Sequence, residues 1–229
     1  MLLVNRELLF HDPFAFVVLL VAVSVSLLIA ITVHEFSHAF AANRLGDMTA
    51  TNLGRLTLNP KAHLDPTGTL MLLLAGFGWG RPVPVDPRRL RNGRRGMGVV
   101  SAAGPLSNVV LALGFALLFQ LGLVTQGDFS REALRSLDPL AWLTWVATYS
   151  VLLNLILAAF NLLPIAPLDG GGILTGIVPR PWLPAIARVQ RYGPFVLIGV
   201  IGLSLLTRVN VLGFLFGPVF DLANVLIRG

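Results

Sequence analysis

His34-Glu35-Phe36-Ser37-His38 sets two imidazoles four residues apart with a carboxylate between them. On a helix of 3.6 residues per turn, His34 and His38 stack on one face about 6 Å apart along the axis, close enough to share one tetrahedral zinc ion. Glu35 lies about 100° around the helix from His34, beside such an ion rather than under it. From there its carboxylate can take a proton from a bound water. The chain has no cysteine, so disulfides and Cys-based zinc sites are excluded, and a metal must be held by His and carboxylates.

These residues need helices to carry them, and the composition says the helices lie in lipid. Of 229 residues, 55% are hydrophobic and only 12% charged, where a soluble domain carries about a quarter charged residues. The mean hydropathy is +0.79. The fold expected is an all-α polytopic membrane protein. It has about five transmembrane helices plus a re-entrant or β-hairpin segment, in one domain over residues 1–229. Residues 14–33 carry no charge and span about 30 Å as helix. The run is too long for a signal-peptide core and no A-x-A site follows it, so it reads as a retained span that runs into the motif and stops at Gly46-Asp47. Residues 99–124 and 140–163 are expected as the second and third spans. Residues 195–206 and 209–227 form an apolar hairpin (about 194–227) beyond a core of about 14–178. Residues 49–59 alternate as a short strand would. Residues 70–77 are apolar but too short to cross, and residues 183–191 are amphipathic. Residues 81–95 carry six arginines and are expected in water against lipid headgroups.

Charge sets the orientation. Residues 46–98 hold eight Lys or Arg against three acids, whereas residues 125–138 hold three acids against two Arg. The positive-inside rule puts the first loop in the cytosol. The first and third spans then both run inward, bringing His34, Glu35 and His38 to the same side as Asp169, just past the third span. The net charge of +6 is nearly all arginine, which in this setting fits anionic lipid rather than nucleic acid.

A hydrolytic zinc site takes three protein ligands and keeps a fourth position open. The candidates for the third are Asp169, His63 and Glu132. Asp169 follows Pro164 and Pro167, which break a helix, and precedes Gly170, Gly171 and Gly172, which let backbone pass close to a neighbour. That is a way to aim a carboxylate from an unwound segment, and it also reads as a turn capping the next helix. His63 sits in a loop between Asn59-Pro60 and Asp65-Pro66, and Glu132 lies in the loop assigned to the opposite face.

The HEFSH motif, Ala103-Gly104-Pro105-Leu106-Ser107-Asn108 and Asn161-x-x-Pro164-x-x-Pro167-Leu168-Asp169-Gly170 together resemble the site-2 protease family of intramembrane metalloproteases. Residues 58–68 and Gly78-Trp79-Gly80-Arg81-Pro82-Val83-Pro84-Val85 resemble its short prokaryotic branch. The likeness covers most of residues 30–175. It implies one zinc ion held by His34, His38 and Asp169, with Glu35 as the catalytic base. It also implies hydrolysis in or near the transmembrane segment of a single-span membrane protein; the charge pattern sets the site toward the cytosolic side, and the Arg-heavy, Lys-poor usage fits a prokaryotic cell membrane. The amides of Asn108 and Asn161 are expected to bind substrate or the oxyanion, or else to tie helices together. The segment near residues 70–80 is expected to offer a strand edge to an extended substrate. The rival reading is a zinc transporter or other metal-handling membrane protein. It would need ligands along a path across the bilayer, and the sequence offers one compact cluster.

Overall fold

The computed structural model describes residues 10–75, 78–125, 138–206 and 211–228, and most of these are helical, with one isolated antiparallel bridge between Leu64 and Gly80. Helix α1 is Pro13–Arg44. The short α2 (Thr49–Asn52) and α3 (Pro66–Ala75) follow, then α4 (Arg94–Gln120) and α5 (Pro139–Asn161). After them come α6 (Asp169–Ile177), α7 (Leu183–Arg191), α8 (Gly193–Leu206) and α9 (Val211–Arg228). Helices α1, α4 and α5 are long and apolar enough to cross a membrane, and each packs on the other two. Helix α6 lies on α4, and α9 closes against α4 and α5 through Ala112, Ala116, Val151, Leu155 and Ala223.

Helix α1 starts where Asp12 accepts from Ala15 N at 3.0 Å and Pro13 fills a first-turn position that needs no amide hydrogen. It ends in a Schellman turn. Gly46, at φ 101°, lets its own N–H reach Asn43 O at 3.0 Å and lets Asp47 N reach Ala42 O at 2.9 Å. Between these ends the buried face is a ladder of every fourth residue: Val18, Ala22, Ser26, Ala30, His34, His38, Ala42. Lipid is as apolar as leucine, so helices within it gain from close backbone approach and interhelical hydrogen bonds, and small side chains permit both. Four residues turn the helix by 400°, so the ladder winds by about 40° per rung. Ser26 accordingly meets Val146 and Ser150 of α5, while His34 and His38 meet Asn108 and Val100 of α4.

Several expectations change. Three helices of crossing length stand among the described residues, against about five expected. The strand expected at 49–59 is helical over Thr49–Asn52, because Asp47 Oδ1 accepts from Thr49 N and Oγ1 and so favours a helical start. The segment expected at 70–77 as re-entrant or a hairpin is helical over Pro66–Ala75, with 76–77 outside the described residues, and an isolated bridge pairs Leu64 with Gly80 on either side of it. The arginine segment is not all in water: Arg94 opens α4, and its Nη1 donates to Thr175 O and Val178 O, both at 2.5 Å, capping α6.

Asp47 anchors that segment to α1. Its buried carboxylate accepts from Thr49 N (3.0 Å), Thr49 Oγ1 (2.5 Å) and Asp86 N (2.7 Å). Burial pushes this carboxyl up, but the bonds from Thr49 and Asp86 and the Arg89 charge together hold it below its ordinary value. A depressed folded pKa stabilises the fold above the unfolded pKa of about 3.9, and the gain fades as pH falls through the lower folded value. Asp47→Ala is therefore expected to cost about 2 kcal/mol at neutral pH. The gap in melting temperature between wild type and variant in detergent should close on acidification below about pH 4.

Candidate metal centre

His34 and His38 are buried on α1, 6% and 8% exposed, and their rings stand edge to face with centroids 4.7 Å apart. The outer nitrogens fix the tautomers. His34 Nδ1 lies 2.6 Å from Asn108 Oδ1, and His38 Nδ1 lies 2.7 Å from the carbonyl oxygen of Val100. The orientation of Asn108 is set in turn. Its Nδ2 donates to Ala30 O at 3.1 Å and to Asn154 Oδ1 at 2.8 Å, and Asn154 Nδ2 donates to Ser150 O at 2.8 Å. Both Nδ1 atoms thus face acceptors and carry the hydrogen, so in the neutral rings both Nε2 atoms present lone pairs.

Those lone pairs point at one another and at a carboxylate. Nε2 of His34 and Nε2 of His38 are 3.1 Å apart; Asp169 Oδ2 is 3.1 Å from the first and Oδ1 is 3.3 Å from the second. Asp169 Oδ2 is buried without a hydrogen-bond donor. Acceptors this close with no proton between them repel, and a cation at their centre reverses the sign. Ligands about 2.05 Å from a tetrahedral zinc are separated by about 3.3 Å, so the observed edges fit that ion. Gly104 of α4 forms the wall. A Cβ there would lie 2.5 Å from His38 Nε2 and 2.7 Å from His34 Nε2, so the space belongs to whatever the three ligands hold. These are the His/Asp/Glu atoms that converge in this way among the described residues.

Asp169 is the first residue of α6. The three glycines after it serve three contacts: a side chain at 170 would strike the carbonyls of Leu162 and Leu163, one at 171 would strike Gln190, and one at 172 would strike Ser101. Glu35 is off the buried ladder and lines one cleft of about 420 Å3 together with His34, His38, Asp169, Asn161 and apolar side chains including Ile31, Met97, Leu157 and Phe160. Its Oε2 accepts from Val83 N at 3.1 Å. Val83 belongs to an extended segment held by Arg81 N to His63 O at 2.7 Å and by Arg55 Nη2 to Arg81 O.

The other candidates divide. His63 is fully buried, donates from Nε2 to Thr57 O at 2.7 Å and stands apart from the cluster; its role is in holding the extended segment. Glu132 lies outside the described residues. Of the two expectations for Asn108, binding substrate or the oxyanion and tying helices together, its bonds match the second: both its amide hydrogens and its oxygen are engaged, on Ala30 O, Asn154 and His34. Asn161 uses one amide hydrogen on Leu157 O at 3.0 Å and lines the cleft. Sequence reading missed Asn154, Ser150 and Ser26, all fully buried, which continue the polar chain from Asn108 through Ser150 Oγ to Ser26 Oγ at 3.0 Å and on to Val146 O at 3.1 Å. A Ser or Asn at four-residue spacing inside an apolar run is the signal that would have found them.

Residues 132–199, which include Asp169, match Peptidase family M50. The chain is 42% identical over 170 residues to "Putative zinc metalloprotease YwhC" of Bacillus subtilis (strain 168), an alignment covering 74% of each protein. It is 33% identical over 224 residues to "Putative zinc metalloprotease Rip2" of Mycobacterium tuberculosis (strain ATCC 25618 / H37Rv), covering 93% of this chain and 78% of that one. No solved structure matches. Fold and cluster together define a class, the membrane-bound metallopeptidases. Within that class the chain belongs to peptidase family M50, the site-2 protease family, whose members are zinc-dependent.

Proposed function

We propose that this protein is an intramembrane zinc endopeptidase that cuts single-span membrane proteins within or beside their transmembrane segment. The observation that carries the reading is the convergence of two imidazole nitrogens and a half-buried carboxylate on one point, 3.1–3.3 Å apart, at a cleft that also holds Glu35. His34, His38 and Asp169 would hold the zinc. Bound there, zinc supplies a Lewis acid and a water whose pKa falls to near 7. Asn108 and Val100 O keep the imidazoles in the ligating tautomer. The Val83 amide steadies Glu35 Oε2, and Oε1 is the atom left to take the water proton and return it to the leaving amine.

The substrate must change too. A carbonyl inside a helix is already hydrogen-bonded, so the helix has to open, and its freed backbone groups need partners away from water. The segment through Val83 borders the cleft, and its carbonyls can accept from the freed N–H groups; the remaining amide hydrogen of Asn161 is a donor for the substrate carbonyl. The apolar lining suits a substrate drawn from lipid. The excess of Lys and Arg over acids in residues 46–98 supports a cleft toward the cytosolic side, here of a prokaryotic cell membrane.

The test is cleavage of a purified single-span protein by the purified enzyme in lipid. Stripping the metal with a chelator should stop cleavage and zinc should restore it, with the cut mapped by mass spectrometry to the apolar segment or its edge. Cleavage indifferent to the chelator, or confined to the soluble flanks, would overturn the reading.

A further inference from the structure

The sequence marks α7 only as an amphipathic surface helix. Leu183, Ile186 and Gln190 are its less exposed residues, while Arg188 and Arg191 are exposed, so the inward face is one helical stripe with a single polar member. That member is Gln190. Its Oε1 accepts from Ala166 N, and its Nε2 donates to Pro164 O at 3.0 Å. An N–H at one end and a carbonyl at the other permit one orientation of the amide.

Both partners lie in the turn at residues 162–168 that joins α5 to Asp169. The turn has few bonds of its own. Pro164 and Pro167 have no amide hydrogen, and its internal bonds are Ile165 N to Leu163 O at 2.7 Å and Leu168 N to Ile165 O at 2.9 Å. Gln190 stands in for a missing peptide unit, pairing with the turn as a neighbouring strand would. The surroundings are shaped for it: a Cβ at Gly171 would lie 2.8 Å from Gln190 Oε1, and one at Gly193 would lie 2.8 Å from Ile165 Cγ2. At its far end α6 is capped by Arg94, so the helix that begins with Asp169 is held at both ends by side chains from other helices.

We infer that Gln190 is a positioning residue for Asp169. It fixes the turn from which the carboxylate reaches the two imidazoles, and so it sets the affinity of the centre for zinc. The inference rests on the reading of His34, His38 and Asp169 as the zinc ligands. Partners of metal ligands are commonly worth 10- to 100-fold in affinity. One acting through the backbone is expected at the lower end, about tenfold.

The experiment is zinc competition against a chromogenic chelator, using the full chain in detergent. Gln190→Met keeps the length and bulk of the side chain and removes both hydrogen bonds; zinc affinity should fall about tenfold, while the zinc-free protein melts as wild type does. Gln190→Glu keeps the acceptor for Ala166 N and loses the donor, and should fall between the two. Arg188→Gln, on the exposed side of the same helix, should match wild type. Wild-type affinity in Gln190→Met overturns the inference and leaves the zinc reading standing, and so does a loss matched by a collapse in the melting temperature of the zinc-free variant. Wild-type protein that takes up no zinc overturns the reading beneath it, and the inference with it.

Discussion

Glu35→Gln is expected to keep its zinc and to lose cleavage by about 10^2- to 10^4-fold, the range that a positioned general acid–base contributes. The substitution is close to isosteric. The amide oxygen of Gln can still accept from Val83 N, as Glu35 Oε2 does at 3.1 Å, so the extended segment stays in place. Among the described residues no hydrogen bond joins Glu35 to His34, His38 or Asp169, so the contacts among those three do not rest on it. What disappears is the group that takes a proton and gives it back. Zinc analysis and a cleavage assay on the same preparation check this, and the pair of readings separates the alternatives. Cleavage within tenfold of wild type would show that another group moves the proton. Zinc transport that survives the substitution, in a protein without peptidase activity, would favour the metal-handling reading.

The centre was legible in the sequence because its chemistry is written in residue types at helical spacing. HExxH predicts the pair of imidazoles, and the Pro- and Gly-flanked Asp169 predicts a carboxylate delivered by a turn; the two meet at 3.1–3.3 Å. The buried face of α1 follows a different rule, one that the sequence reading did not apply. Hydropathy says nothing about which side of an all-apolar helix packs, but Ala22, Ser26 and Ala30, spaced as His34 and His38 are, mark the face where backbones approach. Other features were out of reach for physical reasons. The amide of Asn108 is equally able to bind an oxyanion or a histidine; its partners lie 74 and 46 residues away, and only packing decides. Thr49-Ala50-Thr51-Asn52 alternates like a strand, yet the side chain of Asp47 starts a helix there. Gln190 sits 21 residues beyond Asp169 on a helix whose pattern signals only a surface, and nothing local says that its amide turns inward to Pro164 and Ala166.

Gly104→Ala is expected to empty the site, lowering bound zinc to about a tenth of wild type or less, since even one lost partner of a ligand costs 10- to 100-fold. The added methyl would lie 2.5 Å from His38 Nε2 and 2.7 Å from both Nε2 and Cε1 of His34, distances at which something must move. The imidazoles cannot swing away cheaply, because their Nδ1 atoms are held at 2.6 Å by Asn108 and at 2.7 Å by Val100 O. Nor can α4 retreat as a unit, because Asn108 also bonds Ala30 O of α1 and Asn154 of α5. The methyl therefore takes the volume into which the lone pairs point. Gly114 provides the control on the same helix, since a Cβ there meets nothing within 4 Å. With no contact to break, Gly114→Ala should gain helix propensity, about 1 kcal/mol, and keep its zinc. The same chemical change ten residues apart should thus raise the melting temperature at one position and strip the metal at the other. A Gly104→Ala protein that retains stoichiometric zinc would mean that the ion, if it binds, sits somewhere other than between residues 34, 38 and 169.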